Sequence, residues 1–211
     1  MKQRMAALAP AFALSLLAAT AAAPAAAQSS DQGSWLVRAH ATYLDPRNKD
    51  NTGLDLSVNS KWIPEVDVSY FFTPNIAAEL VLTVPQKHDL NAGGVGQIGT
   101  LKHLPPTLSL QYHFTGLQGF RPYVGIGVNY THFSKVNFDP AVAAALGPSI
   151  DKDVFGVAFG AGVDVPIGGG WLLNFDVKKI QIRTDVSSFG SKVGEFKVDP
   201  LVVGFGFGKR F

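Results

Sequence analysis

Leu201-Val202-Val203-Gly204-Phe205-Gly206-Phe207-Gly208-Lys209-Arg210-Phe211 ends the sequence. Leu201, Val203, Phe205, Phe207 and Phe211 fall on one face of an extended chain, and Val202, Gly204, Gly206, Gly208 and Arg210 on the other. A period of two is a strand, because successive side chains of an extended backbone point to opposite faces. The partition is unusual for a soluble sheet, where the larger apolar side chains would enter a core and polar ones would face water. Here the bulky face is aromatic and the opposite face is mostly glycine. That suits a strand whose outer face meets lipid and whose inner face lines a crowded interior.

Seven upstream segments repeat the pattern. The first has Trp35, Val37, Ala39, Ala41 and Tyr43 on the apolar face, and the second Trp62, Pro64, Val66, Val68, Tyr70 and Phe72. Glu65 and Asp67 alternate with the latter and must point inward, since a carboxylate facing lipid is costly. The third pairs outward Ala78, Leu80, Leu82 and Val84 with inward Ala77, Glu79, Val81 and Thr83. The fourth puts Leu108, Leu110, Tyr112 and Phe114 outward. The fifth runs from Phe120 to Thr131, the sixth from Phe155 to Val165, and the seventh begins at Trp171 and loses its pattern over 179–184. Short turns at Thr73-Pro74-Asn75, 115–119 and Gly168-Gly169-Gly170 alternate with loops over 45–60, 85–106, 134–152 and 184–196. A short helix is expected within the third of these loops, over 141–146. The expected fold is all-β: an eight-stranded antiparallel transmembrane β-barrel with short periplasmic turns and longer extracellular loops.

Composition agrees. Lys2 and Arg4 precede an apolar run to Ala23, and Ala25-Ala26-Ala27 offers a cleavage pattern. Residues 1–27 therefore read as a cleaved signal peptide, and 28–211 as the outer-membrane barrel. Of 18 basic and 16 acidic residues, the signal would remove two basic ones, leaving no charge excess and no basic stripe for nucleic acid. There is no cysteine, and a closed barrel needs no disulfides because its ladder satisfies the backbone internally. Beyond the signal no segment approaches the ~20 apolar residues of a spanning helix, although 46% of residues are hydrophobic.

Three stretches carry a resemblance to a known family: His103-Leu104-Pro105-Pro106-Thr107-Leu108, Phe120-Arg121-Pro122-Tyr123-Val124-Gly125 continuing to Asn129-Tyr130-Thr131, and Asp199-Pro200 through Arg210-Phe211. With Asn75-Ile76, Glu79-Leu80, Trp171-Leu172 and Asn174 they resemble the OmpW family of outer-membrane proteins over essentially the whole mature chain. The resemblance implies a barrel with a narrow, largely apolar interior. It would serve as a conduit for small hydrophobic molecules or as a docking site for phage or bacteriocins. It also implies a pinch of inward apolar side chains that includes Val81. Lys178 stands where the family pattern leads one to expect an aromatic, and Lys209 departs in the same way.

Inward parity gathers charges of both signs: Arg38, Glu65, Asp67, Glu79, Arg121, Asp164, Asp176, Lys178 and Arg210, with Tyr123 among them. They read either as a network of buried ion pairs closing the periplasmic half or as a polar selectivity segment beneath an apolar vestibule. Leu54, Leu56, Val58, Leu101 and Leu104 either wall that vestibule or simply pack the loops together. Pro105 and Pro106 lack amide donors, weaken strand pairing and mark a candidate lateral exit. Phe211 reads as a signal to the barrel assembly machinery, and Gly204, Gly206 and Gly208 as space inside the wall. The expected partners are outer-membrane lipid, lipopolysaccharide and small hydrophobic solutes.

The leading functional expectation is a narrow passive channel for such solutes. The alternative is a closed-lumen structural or recognition barrel. A third reading, a lipid A deacylase, rests on His132 and Ser134 on one outward face, with no orienting acid evident. No cofactor is expected. The five histidines are dispersed, so no metal site is expected. Gly93–Gly99 lacks the Lys-Ser/Thr and helix of a phosphate cradle.

Overall fold

The computed structural model describes residues 34–211; the expected signal segment and its cleavage site lie outside the described residues. Among the described residues there are fifteen strands and one helix. In chain order the strands are β1 (Trp35–Asp45), β2 (Lys49–Asp50), β3 (Ser57–Val58), β4 (Lys61–Phe71), β5 (Ile76–Thr83), β6 (Gln86–Ala92), β7 (Gly96–Leu104), β8 (Thr107–His113) and β9 (Arg121–Phe138). After α1 (Pro140–Leu146) come β10 (Pro148–Ile150), β11 (Asp153–Gly168), β12 (Trp171–Ile180), β13 (Arg183–Ser188), β14 (Ser191–Lys197) and β15 (Leu201–Arg210).

Eight of these close a ring in the order β1-β4-β5-β8-β9-β11-β12-β15, and β15 pairs back onto β1. Every pairing is antiparallel. Closure leaves no free sheet edge, so each ladder carbonyl and amide finds a partner without water. At the seam Leu36 to Asp45 runs against Arg210 to Leu201, and the Phe211 amide donates to the Trp35 carbonyl at 2.8 Å.

The alternation read from the sequence holds on all eight strands. In β1 every even residue from Leu36 to Leu44 is buried; in β4 the odd residues from Ile63 to Phe71 are. Outward apolar side chains stay open, up to 79% for Phe155. In water such a belt would be a severe liability; in a bilayer it matches its solvent. Aromatic pairs border the belt. Trp35 meets Tyr70 at 4.9 Å and Trp171 meets Phe207 at 6.2 Å near the short-turn end. Tyr43 meets Trp62 at 5.3 Å and Tyr130 meets Phe155 at 5.0 Å near the other. The short turns fall at 72–75, 114–120 and 169–170. At the last, Gly168, Gly169 and Gly170 have φ of 99°, 60° and 78°, a run that side-chain-bearing residues rarely adopt.

The long connections differ from the expectation of loops. β6 and β7 form a hairpin that prolongs the wall, β9 continues to Phe138, and β3 adds to β6. A second sheet, β10-β13-β14-β2, completes a lobe above the barrel. The irregular stretch after β12 is where the chain leaves the barrel: Ile180 donates to the Pro200 carbonyl, and β13 starts the second sheet. The helix falls at Pro140–Leu146, with Gly147 in the left-handed region ending it.

Candidate functional site

The lower interior is crossed by bonded charges. Arg38 on β1 is 0% exposed and donates to Asp164 on β11 through Nε at 3.1 Å and Nη2 at 2.8 Å. Its Nη1 reaches Ser69 on β4 and Glu79 on β5, both at 3.1 Å. The guanidinium also lies 5.1 Å from the Tyr123 ring centroid. One layer up, Lys178 on β12 sits 2.6 Å from Glu65 and 2.6 Å from Asp176, with Asp67 at 3.8 Å. Asn174 ties the layers together, donating to Asp164 at 2.7 Å and to Tyr123 at 3.0 Å while its oxygen faces His40 Nε2 at 2.9 Å. β1 to β11, and β12 to β4, are each three steps around a ring of eight. These bonds therefore span the bore, and the ion-pair network is the arrangement found.

Inward glycines allow this crowding. A Cβ on Gly162 would lie 2.5 Å from the Tyr123 ring, one on Gly204 2.5 Å from Asp176 Oδ1, and one on Gly208 2.9 Å from Arg38. Gly204, Gly206 and Gly208 thus do not widen an open pore. The space they leave is filled by Asp176, His40, Arg38 and Leu172. Beside the network, a cavity lined by Glu79, Thr107, Tyr123, Asp176, Lys178 and Ile180 has room for about one water molecule. Below it Arg121 and Arg210 are partly buried near the short-turn rim, with the Arg210 guanidinium 3.7 Å above Phe71. Val81 is buried and inward, opposite Asp67 on β4 and Thr107 on β8, at the upper border of the charged layer.

Above that layer the interior turns apolar. Leu44, Ile63, Ala158, Ile180 and Val202 of the barrel pack in one cluster with Leu56, Val58, Leu101, Phe133 and Phe196 of the lobe. Leu54 does not join it. It is 39% exposed, at a tip where the Leu54 amide donates to Asp50. Leu104 is half-buried and shares the outward face with its ladder partner His132, so it lines the lipid side rather than the vestibule.

Two histidines stand inside this lobe. His88 and His103 stack at 4.7 Å, and each has a buried Nε2 without a hydrogen-bond partner. Burial first, then His88, pushes the His103 imidazole down to about 3; burial also lowers His88, which faces Lys61 and Asp89 as well. The folded lobe holds the neutral ring, while the unfolded ring takes a proton near 6.5. Stability is therefore complete above pH 6.5 and falls as pH drops toward 3, by about 2 kcal/mol from His103 alone at pH 5. Hydrogen-exchange protection factors over 86–104, which divide out the base-catalysed intrinsic rate, should fall about 30-fold between pH 8 and pH 5, and His103→Phe should flatten that dependence.

The ladder is interrupted beside this packed apolar cluster. β5 pairs with β8 from Ile76↔Tyr112 to Val81↔Thr107, and pairing resumes only at Gln86↔His103 between β6 and β7. Pro85, Pro105 and Pro106 occupy the gap, and the Val84 carbonyl accepts from the Gln86 side chain at 2.7 Å. The β9 side is held instead. Asn129 Nδ2 donates to the Pro105 and Pro106 carbonyls, both at 3.1 Å, and Tyr130 donates to Pro106 at 3.0 Å. The weak seam thus lies between 82–85 and 104–106.

Two chemical readings from the sequence need correction. His132 does have an orienting acid, Asp153, 2.7 Å from its Nδ1, although no hydrogen bond joins His132 to Ser134 among the described residues. The scattered histidines also concealed a cluster: His40, Glu65, Asp67 and Asp176 meet inside the barrel. His40 and Asn174 lay on inward faces by parity, yet their heights in the bore depend on register, which the sequence pattern does not give.

The OmpW family model matches residues 31–211. The chain belongs to the OmpW family. Outer membrane protein W of Vibrio cholerae is 32% identical over 212 residues, covering 94% of this chain and 97% of that protein. The uncharacterized outer-membrane protein y4mB of Sinorhizobium fredii is 42% identical over 165 residues, 75% and 70% of the two chains. The crystal structure of the outer membrane protein OprG from Pseudomonas aeruginosa superposes with a TM-score of 0.74 at 28% identity, covering 85% of this chain and 97% of that one. This OmpW-family chain is an outer-membrane barrel, its belt in lipid; by the arrangement of the family the short turns face the periplasm and the lobe the outside.

Proposed function

We propose that the protein carries small hydrophobic molecules from outside into the outer membrane itself. A solute enters the apolar lobe, stops above the charged layer and leaves sideways through the seam at Pro105 and Pro106. The single observation that carries this reading is the break in the ladder between Val81↔Thr107 and Gln86↔His103, beside an apolar interior and above a closed polar one. Ion pairs bonded across the bore oppose an axial route, since separating them exposes charges in a poorly hydrated space. Val81 forms the sill of the opening. Phe211, outward and in the ladder with Trp35, suits recognition of the last strand by the barrel assembly machinery.

Reconstituted into lipopolysaccharide-containing liposomes, the wild type should accelerate uptake of a naphthalene-sized solute while showing no steady single-channel current. Steady current without faster uptake would overturn the proposal in favour of an aqueous pore. Neither signal would leave the recognition barrel, with its lobe as the binding surface for phage or bacteriocin. The His132–Asp153 contact favours one further assay, release of acyl chains from lipid A. With Ser134 unbonded to His132, no release is expected.

A further inference from the structure

We propose that the charged layer binds one divalent transition-metal ion between His40, Glu65, Asp67 and Asp176. These four buried side chains, from β1, β4 and β12, each place a ligand atom within 4.8 Å of the others. The hydrogen-bond network fixes which nitrogen of His40 is available. Asn174 Nδ2 donates to the Asp164 carboxylate, so Asn174 Oδ1 must be the acceptor facing His40 Nε2. Nε2 therefore carries a proton, and Nδ1 is the nitrogen that faces the interior, with a lone pair whenever the ring is neutral. That lone pair points at carboxylates: Asp67 Oδ2 at 3.2 Å and Glu65 Oε1 at 3.7 Å. Asp67 is 0% exposed, and neither of its oxygens receives a hydrogen bond; Asp176 Oδ1 receives none either. A bare lone pair against a carboxylate is repulsive, so the geometry calls for a cation between them, a metal ion or a proton on Nδ1.

Charge sets the class of that cation. Lys178 neutralises one of the three carboxylates it faces, and Arg38 is committed to Glu79 and Asp164. Two negative charges remain among Glu65, Asp67 and Asp176, which a 2+ ion cancels, and one more stays with the Arg38 group. One imidazole with carboxylates suits Zn²⁺, Mn²⁺, Co²⁺ or Fe²⁺ better than Ca²⁺ or Mg²⁺, which prefer all-oxygen sites. Tetrahedral ligands ~2.1 Å from a metal stand about 3.4 Å apart, so donors now up to 4.8 Å apart would draw together by about an ångström on binding. Asn174 holds the imidazole from its far side, as the outer partners of metal-bound histidines do.

The test uses the full mature barrel, refolded in detergent and stripped with EDTA. Zn²⁺ titration by calorimetry should give one site per barrel, and Co²⁺ should produce visible ligand-field bands. His40→Gln and Asp67→Asn should each weaken binding by about 10–100-fold, with folding checked by heat-modifiable gel mobility. Should a variant fail to fold, ¹⁵N-histidine spectra of the wild type decide: the His40 Nδ1 resonance should move on Zn²⁺ addition. No binding of Zn²⁺, Co²⁺ or Mn²⁺, with His40 present as imidazolium, would overturn the proposal and make the cation a proton. Binding unchanged in both folded variants would overturn it equally, since the ion would then lie elsewhere.

Discussion

Arg38→Met should lower the stability of the folded barrel by about 3–5 kcal/mol, the usual cost of removing one partner from a buried charge network. Methionine roughly keeps the length of the side chain but leaves Glu79 and Asp164 buried without their shared counter-ion. Ser69 also loses its donor. Urea unfolding in phospholipid vesicles, followed by fluorescence of the outward Trp35, Trp62 and Trp171, reads the change. The triple variant Arg38→Met, Glu79→Gln, Asp164→Asn should recover more than half of the loss, because it removes the stranded charges along with the cation. A loss below about 1 kcal/mol in the single variant would mean that the guanidinium is solvated and the layer open.

The double variant Pro105→Ala, Pro106→Ala should cut uptake of a small apolar solute by about fivefold. Consecutive amides of an extended strand point to opposite edges, and the Pro106 carbonyl already accepts from Tyr130 on β9, so of the two new amides only that of residue 105 faces 82–85. One added hydrogen bond across the seam at ~1 kcal/mol moves an open–closed equilibrium by a factor of about 5. The barrel should meanwhile become more resistant to heat, since the closed state gains that bond. The Asn129 contacts to the two carbonyls survive the change, and the single variant Pro105→Ala reports the β5–β8 side alone. Undiminished uptake in a folded double variant would move the exit elsewhere.

Much of the barrel was legible in the sequence because lipid and lumen enforce a strict two-residue period. Glu65, Asp67, Glu79 and Asp176 could point only one way, and the outward Trp35, Tyr43, Trp62 and Trp171 marked the borders. The lobe was hidden for the converse reason. Gln86, His88 and Leu90 alternate with Lys87 and Asp89 as a strand in water does, but the nearby glycines from Gly93 to Gly99 read as a loop. The site was half visible. Parity gave the inward face of Arg38 and Lys178, whereas their partners are set by the stagger of strands three places apart. Gly204 to Gly208 do leave room inside the wall, but a missing side chain does not say who takes the room, and Asp176, His40 and Arg38 take it.

The route of the solute is the point on which everything above turns. Proteoliposomes can carry one quencher on lipid acyl chains and a second, spectrally distinct one trapped in the vesicle interior. A fluorescent apolar solute added outside should then meet the acyl-chain quencher first, with the interior signal lagging at the rate set by desorption from lipid. Simultaneous or earlier quenching from the interior would contradict lateral release and require a path straight through the layer of Arg38 and Lys178.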